Sequence, residues 1–173
     1  MRSLRRAALV GVLFLAACAA GGDGGPLPPS SPSPKLGEPM PKIDKRTLTG
    51  EQLDSSQMAG KVVVVEFFAE YCQPCQKTLP AVQKLSQKMP DVVFIGVSID
   101  EYQSSAEAMA TKHGISFPVV HDRGALRGRY RVTDLPSTFV IDTTGEVFWV
   151  RVGGNGYTES ELTKAIAAAR NPG

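Results

Sequence analysis

Apolar residues are spaced along the chain in a way that alternates short continuous runs with helical periods. Lys61 to Phe68 and Val92 to Ile99 are β-branched and aromatic runs, the pattern of strands buried on both faces. Between them, Cys75 to Lys88 places Leu79, Val82 and Leu85, with Met89 just beyond, on one helical side. Ser105 to His113 predicts a second helix, closed by Gly114. Phe117 to His121 predicts a short strand and Ala125 to Tyr130 a short helix. Ser137 to Asp142 and Val147 to Val152 form a hairpin about Thr143-Thr144-Gly145. Thr158 with Glu161 is a capping-box pattern that opens a last helix to Ala169. Glu51 to Met58 reads as a short helix or turn. Strands alternating with helices and ending in a hairpin predict an α/β fold with a central mixed sheet flanked by helices.

The N-terminal fifth is different. Arg2, Arg5 and Arg6 precede an apolar stretch from Ala7 to Ala17, too short to span a bilayer comfortably. It ends in Leu15-Ala16-Ala17-Cys18, which resembles the lipobox of bacterial lipoproteins. That resemblance makes residues 1–17 a signal peptide and Cys18 a lipidated first residue. A plain cleaved signal is the alternative, and both readings export the protein. Residues 18–37, rich in Gly, Pro and Ser, read as a disordered tether, leaving 38–173 as one folded domain. Without the three leader arginines, 16 Lys+Arg face 17 Asp+Glu. A chain so near neutrality offers no basic footprint for nucleic acid.

Three cysteines remain to be placed. With Cys18 taken by lipid, Cys72 and Cys75 form a matched pair. A pair three residues apart constrains little of the unfolded chain, so redox chemistry suits it better than stapling. Cys72 falls where a helix begins, and free backbone N–H groups there favour a thiolate, the form that attacks disulfides. Cys72 is therefore expected to be the exposed nucleophile, and Cys75, one turn in, the buried resolving thiol. Pro74 has a backbone suited to a first helical turn, and Gln73 adds no charge.

Val65-Glu66-Phe67-Phe68-Ala69-Glu70-Tyr71-Cys72-Gln73-Pro74-Cys75 resembles the thioredoxin superfamily active site, and Leu135-Pro136-Ser137-Thr138-Phe139 resembles its cis-proline loop. Gly60 to Val65, Phe139 to Asp142 and the inserted segment Asp100 to Tyr130 are similar to the membrane-anchored TlpA-like branch. The resemblance implies a thioredoxin-like fold with a helix–strand insertion and an N-terminal extension. It implies an extracytoplasmic enzyme that reduces disulfides in partner proteins, with cytochrome c maturation as the associated process. It further implies a membrane thiol-disulfide electron donor, a monomer, no metal and no cofactor beyond the Cys72–Cys75 disulfide.

By the same resemblance Pro136 is cis and faces the Cys pair, and Leu135 pairs with the substrate backbone. Tyr71, Gln73, Pro74, Leu135 and Gly153 make up the substrate-contacting set. Gly153 is either the glycine that keeps the groove open or a plain turn residue. Glu66 stands where thioredoxins hold a buried acid that passes a proton to the resolving Cys. Burial would raise its pKa, whereas a Glu reaching solvent from the strand face would do neither. Thr78 replaces a Glu found in many TlpA-like proteins, Tyr71 replaces the usual Trp, and Pro80 matches a helix kink. A thiol peroxidase would need Thr at Ala69. Zinc lacks a second Cys pair. The alternative is a copper metallochaperone of related fold, which would space its Cys four apart and add a nearby His; His121, beside Asp122, is the candidate.

Overall fold

The computed structural model describes residues 26–173. Cys18 and the leader lie outside the described residues. A two-stranded antiparallel ribbon comes first, β1 (Asp44–Arg46) with β2 (Gln52–Asp54). A 3₁₀ turn, Ser55–Met58, follows and is capped by the Asp54 carboxylate. The main sheet comprises β3 (Val63–Phe68), β4 (Val93–Ser98), β5 (Val119–His121), β6 (Ser137–Ile141) and β7 (Val147–Val152). Its spatial order is β5-β4-β3-β6-β7, with the first three parallel and β6 and β7 antiparallel to their neighbours. The helices are α1 (Cys75–Lys88), α2 (Gln103–Lys112), α3 (Ala125–Tyr130) and α4 (Glu159–Ala169).

The continuous apolar run of β3 follows from its central position. Alternate side chains enter two cores, one on each face of the sheet. Val64 and Phe68 join Leu79, Val82 and Leu85 of α1, with Leu162, Ala165, Ile166 and Ala169 of α4. Val63, Val65 and Phe67 join Leu126 and Tyr130 of α3, together with Ile43 from the ribbon. On that second face Phe67, Tyr130 and Phe139 form an aromatic trio with ring centroids 5.0–5.8 Å apart. Glu66 belongs to the first face, with α1 and α4.

The predicted elements recur with ends moved by a few residues, and the mixed sheet and inserted α2–β5–α3 segment are as expected. Two expectations change. Of Glu51 to Met58, expected as a short helix or turn, Gln52–Asp54 is strand and only Ser55–Met58 is a 3₁₀ turn, and β1 was not foreseen. The second change concerns the tether. Residues 26–37 do not hang free, because β7 is an edge strand whose backbone needs partners.

The Ser31 N–H donates to the Val150 carbonyl (2.7 Å), and the Val150 and Val152 N–H groups donate to the hydroxyls of Ser30 and Ser31 (2.9 and 3.1 Å). The Trp149 indole donates to the Pro28 carbonyl (3.1 Å), and Val147 exchanges hydrogen bonds with Gly37 and Glu38. Proline cannot donate from its backbone, so the serines between the prolines supply the bonds.

A chain beginning at Lys35 is therefore expected to be less stable than one beginning at Pro26, by about 1–3 kcal/mol. That figure is a few net hydrogen bonds less the entropy of ordering the strap. Equal urea midpoints for the two chains would show that the strap contributes nothing.

Candidate active site

β3 ends at Phe68 on the buried sheet, and the chain turns outward through Glu70 and Tyr71 before α1 starts. The turn is pinned by Asp100, whose buried carboxylate accepts from the Glu70 N–H (2.8 Å) and from the Ser98 hydroxyl (2.9 Å). Cys72 and Cys75 are joined as a disulfide, with Cα atoms 5.3 Å apart. No side chain caps α1 at Pro74. Instead the Cys75 N–H donates to the Cys72 sulfur (3.2 Å), so the sulfur takes a place that a capping oxygen usually fills. The same N–H would stabilise the thiolate once the disulfide is reduced. Cys72 is 6% exposed and Cys75 fully buried. The order of exposure is the expected one, although Cys72 is itself buried rather than exposed as expected.

Tyr71 is 69% exposed beside the pair, and Gln73 is exposed as well. The Leu135–Pro136 bond is cis. Pro136 is placed against α1 through Gly156. A Cβ on Gly156 would lie 2.5 Å from Thr78 Cγ2 and 3.5 Å from Pro136 Cγ. Thr78 is in the first turn of α1, so the proline loop and the Cys pair share one end of the sheet. The Leu135 N–H is held by the Asp134 carboxylate (2.8 Å), so a docking strand must displace that contact or use the carbonyl.

Gly153 does not face Pro136 with its open side. A Cβ there would strike the Asp134 carboxylate at 2.3 Å, although its N–H does donate to the Pro136 carbonyl (2.8 Å). The glycine that leaves room between Pro136 and α1 is Gly156, whose φ of +74° also suits glycine alone.

Glu66 is fully buried in the middle of β3, between Gly96 of β4 and Thr138 of β6. The solvent-reaching alternative therefore falls. The Thr138 hydroxyl donates to Oε2, and so does the Tyr157 hydroxyl (3.2 Å), while Oε1 has no hydrogen-bond partner. Burial raises its pKa to about 7, with the hydroxyls of Thr138, Thr78 and Tyr157 pulling back. The Thr78 hydroxyl points its own hydrogen bond at the Cys75 carbonyl (3.5 Å), which sets the acid and the resolving cysteine around one residue.

Thr138, Gly156 and Tyr157 were missed in the sequence. Thr138 meets Glu66 only through strand register. Tyr157 precedes the Thr158 N-cap, where an apolar residue reads as a hydrophobic staple on Leu162 rather than as a donor.

Residues 36–150 match the AhpC/TSA family. The chain belongs to that family. It is 31% identical over 123 residues to the thiol-disulfide oxidoreductase ResA of Halalkalibacterium halodurans, covering 69% of this chain and 70% of that one. It is 29% identical over 121 residues to the thioredoxin-like protein YneN of Bacillus subtilis, covering 68% and 71%. A crystal structure of a thiol:disulfide interchange protein from Chlorobium tepidum matches with a TM-score of 0.70 and 25% identity, covering 76% of this chain and 94% of that one. With a disulfide at Cys72 and Cys75, this AhpC/TSA protein is a thiol-disulfide oxidoreductase of the ResA type.

A carboxyl that ionises near 7 when folded and near 4.5 when unfolded keeps its proton longer in the fold. Its stabilising contribution is full below about pH 4.5 and is lost as pH rises through 7. Relative to Glu66→Gln, the unfolding free energy of the native protein should fall by roughly 3 kcal/mol between pH 4 and pH 8. Parallel stability curves for the two proteins would mean that Glu66 ionises normally.

Proposed function

We propose that the protein is an extracytoplasmic lipoprotein, anchored through Cys18, that reduces disulfides in partner proteins and serves cytochrome c maturation. The observation that carries the chemistry is the Cys72 sulfur accepting the Cys75 N–H at the start of α1, with buried Glu66 linked to the pair through Thr78. In the reduced protein, the Cys72 thiolate attacks one sulfur of a partner disulfide. A mixed disulfide forms and the partner's other sulfur leaves as a thiolate. Ionised Glu66 then takes the proton of the Cys75 thiol. The Cys75 thiolate attacks Cys72, the partner's second sulfur departs, and two electrons have passed to the partner. A dithiol donor at the membrane restores the Cys72–Cys75 thiols. A carboxyl ionising near 7 gives up and regains its proton readily at neutral pH.

The partner's backbone would run beside Leu135 and Pro136, with exposed Tyr71 and Gln73 on the opposite wall. Ala69 three residues before Cys72 supports exchange rather than peroxide reduction. The copper reading loses support because both histidine rings are engaged elsewhere. His121 Nε2 is 2.8 Å from the Asp100 carbonyl, and His113 Nε2 is 2.8 Å from Gln76 Oε1.

The purified domain should reduce insulin with dithiothreitol as electron source. Cys72→Ser should abolish that activity, and Cys75→Ser should accumulate mixed disulfides that vanish on reduction. Retained activity in Cys72→Ser would sink the mechanism. The direction is tested by the potential of the Cys72–Cys75 couple. A value near −270 mV supports a reductant, and one near −120 mV makes the protein an oxidant.

A further inference from the structure

The two carboxyl oxygens of Glu66 have different surroundings. Oε2 accepts from the hydroxyls of Thr138 and Tyr157, and the Thr78 hydroxyl lies close enough to act on the carboxyl as well. Oε1 is buried and bare. A proton on Oε2 would force at least one of those hydroxyls to give up its donated hydrogen bond, whereas Oε1 has no hydrogen bond to give up. We propose that Tyr157 is a positioning residue of the exchange site: with Thr138 it anchors Glu66 Oε2, so that Oε1 alone takes up and returns the proton of thiol exchange. This rests on the reading of Glu66 as the proton relay.

Several contacts hold Tyr157 to that task. Its ring meets Trp149 edge-on, with centroids 6.1 Å apart at 78°. The residue before it, Gly156, is wedged between Thr78 and Pro136, and its carbonyl accepts from Arg151 Nε (3.2 Å). The residue after it, Thr158, is fixed by the reciprocal capping box with Glu161. The ring thus enters the core from a backbone held on both sides.

Burial, and then the adjoining carboxyl, push the tyrosine hydroxyl far above its ordinary range, so it remains a donor throughout. The groups facing Glu66 are few. The loop before α4 contributes Tyr157, and α1 contributes Thr78. β6 contributes Thr138 and β4 only Gly96. No charged side chain among the described residues acts on it.

The test compares wild type, Tyr157→Phe, Thr138→Val and Glu66→Gln. The Glu66 carboxyl is followed by ¹³C NMR titration in the oxidised protein, and insulin reduction is followed against pH. Phenylalanine keeps the ring against Trp149. Because the lost donor favours the ionised acid, Tyr157→Phe should raise the Glu66 midpoint by about one pH unit, and the exchange profile should move with it. Thr138→Val should act in the same direction and carries the test if the phenylalanine variant misfolds. A midpoint unmoved in both variants overturns the anchoring. A midpoint that moves while Glu66→Gln leaves the exchange profile unaltered supports the anchoring and overturns the relay instead.

Discussion

An ionisable side chain sits at the centre of the most buried strand, and much of the molecule is arranged around that fact. β3 carries five apolar residues and Glu66, all of them buried. A charge in that place is costly unless neutralised or hydrogen-bonded. The fold does some of each. The acid ionises only near 7, and the two neighbouring strands offer it Gly96, which takes no space, and Thr138, which donates. The third partner, Tyr157, comes from outside the sheet. Glu66 is thus tolerated by a register on one side and a loop on the other, and both belong to the end of the sheet where the cysteines lie.

That loop links the site to the N-terminal strap. Arg151 at the end of β7 bonds to the Gly156 carbonyl, to Glu161 of the α4 cap and to the Pro29 carbonyl of the strap (3.2, 3.1 and 3.4 Å). Trp149, two residues earlier, gives its indole hydrogen to Pro28 and its ring to Tyr157. The segment that composition marks as a tether is therefore bound to the same two side chains that support the wall of the active site.

The sheet and helices were legible because β3 and β4 are long apolar runs and α1 and α4 carry clear periods. The Cys-Gln-Pro-Cys motif and Leu135-Pro136 were legible because local residue order determines them. What escaped depends on non-local geometry. β1 is three residues of Asp-Lys-Arg and carries no apolar signal; its place is fixed by pairing with β2. The strap's prolines and serines look solvated until an edge strand needs them. Gly153 stayed open between groove glycine and turn glycine because it stands in the run Gly153-Gly154-Asn155-Gly156, and only the positions of Asp134, Thr78 and Pro136 single out Gly156. Thr138 faces Glu66 through a register that spans 72 residues of chain.

The same geometry explains why a neutral dipeptide suffices between the cysteines. A backbone donor at the α1 N-terminus stabilises the Cys72 thiolate without requiring a charged side chain at position 73. In the proposed mechanism, proton movement is handled separately, on the sheet side, by an acid whose surroundings contain no competing charge among the described residues. Electron transfer and proton transfer are thereby assigned to different elements, α1 and β3, that meet at Thr78. Substitutions at Gln73 should tune the first without touching the second. Those at Thr138 or Tyr157 should do the reverse, which makes the two halves of the exchange separable in one protein.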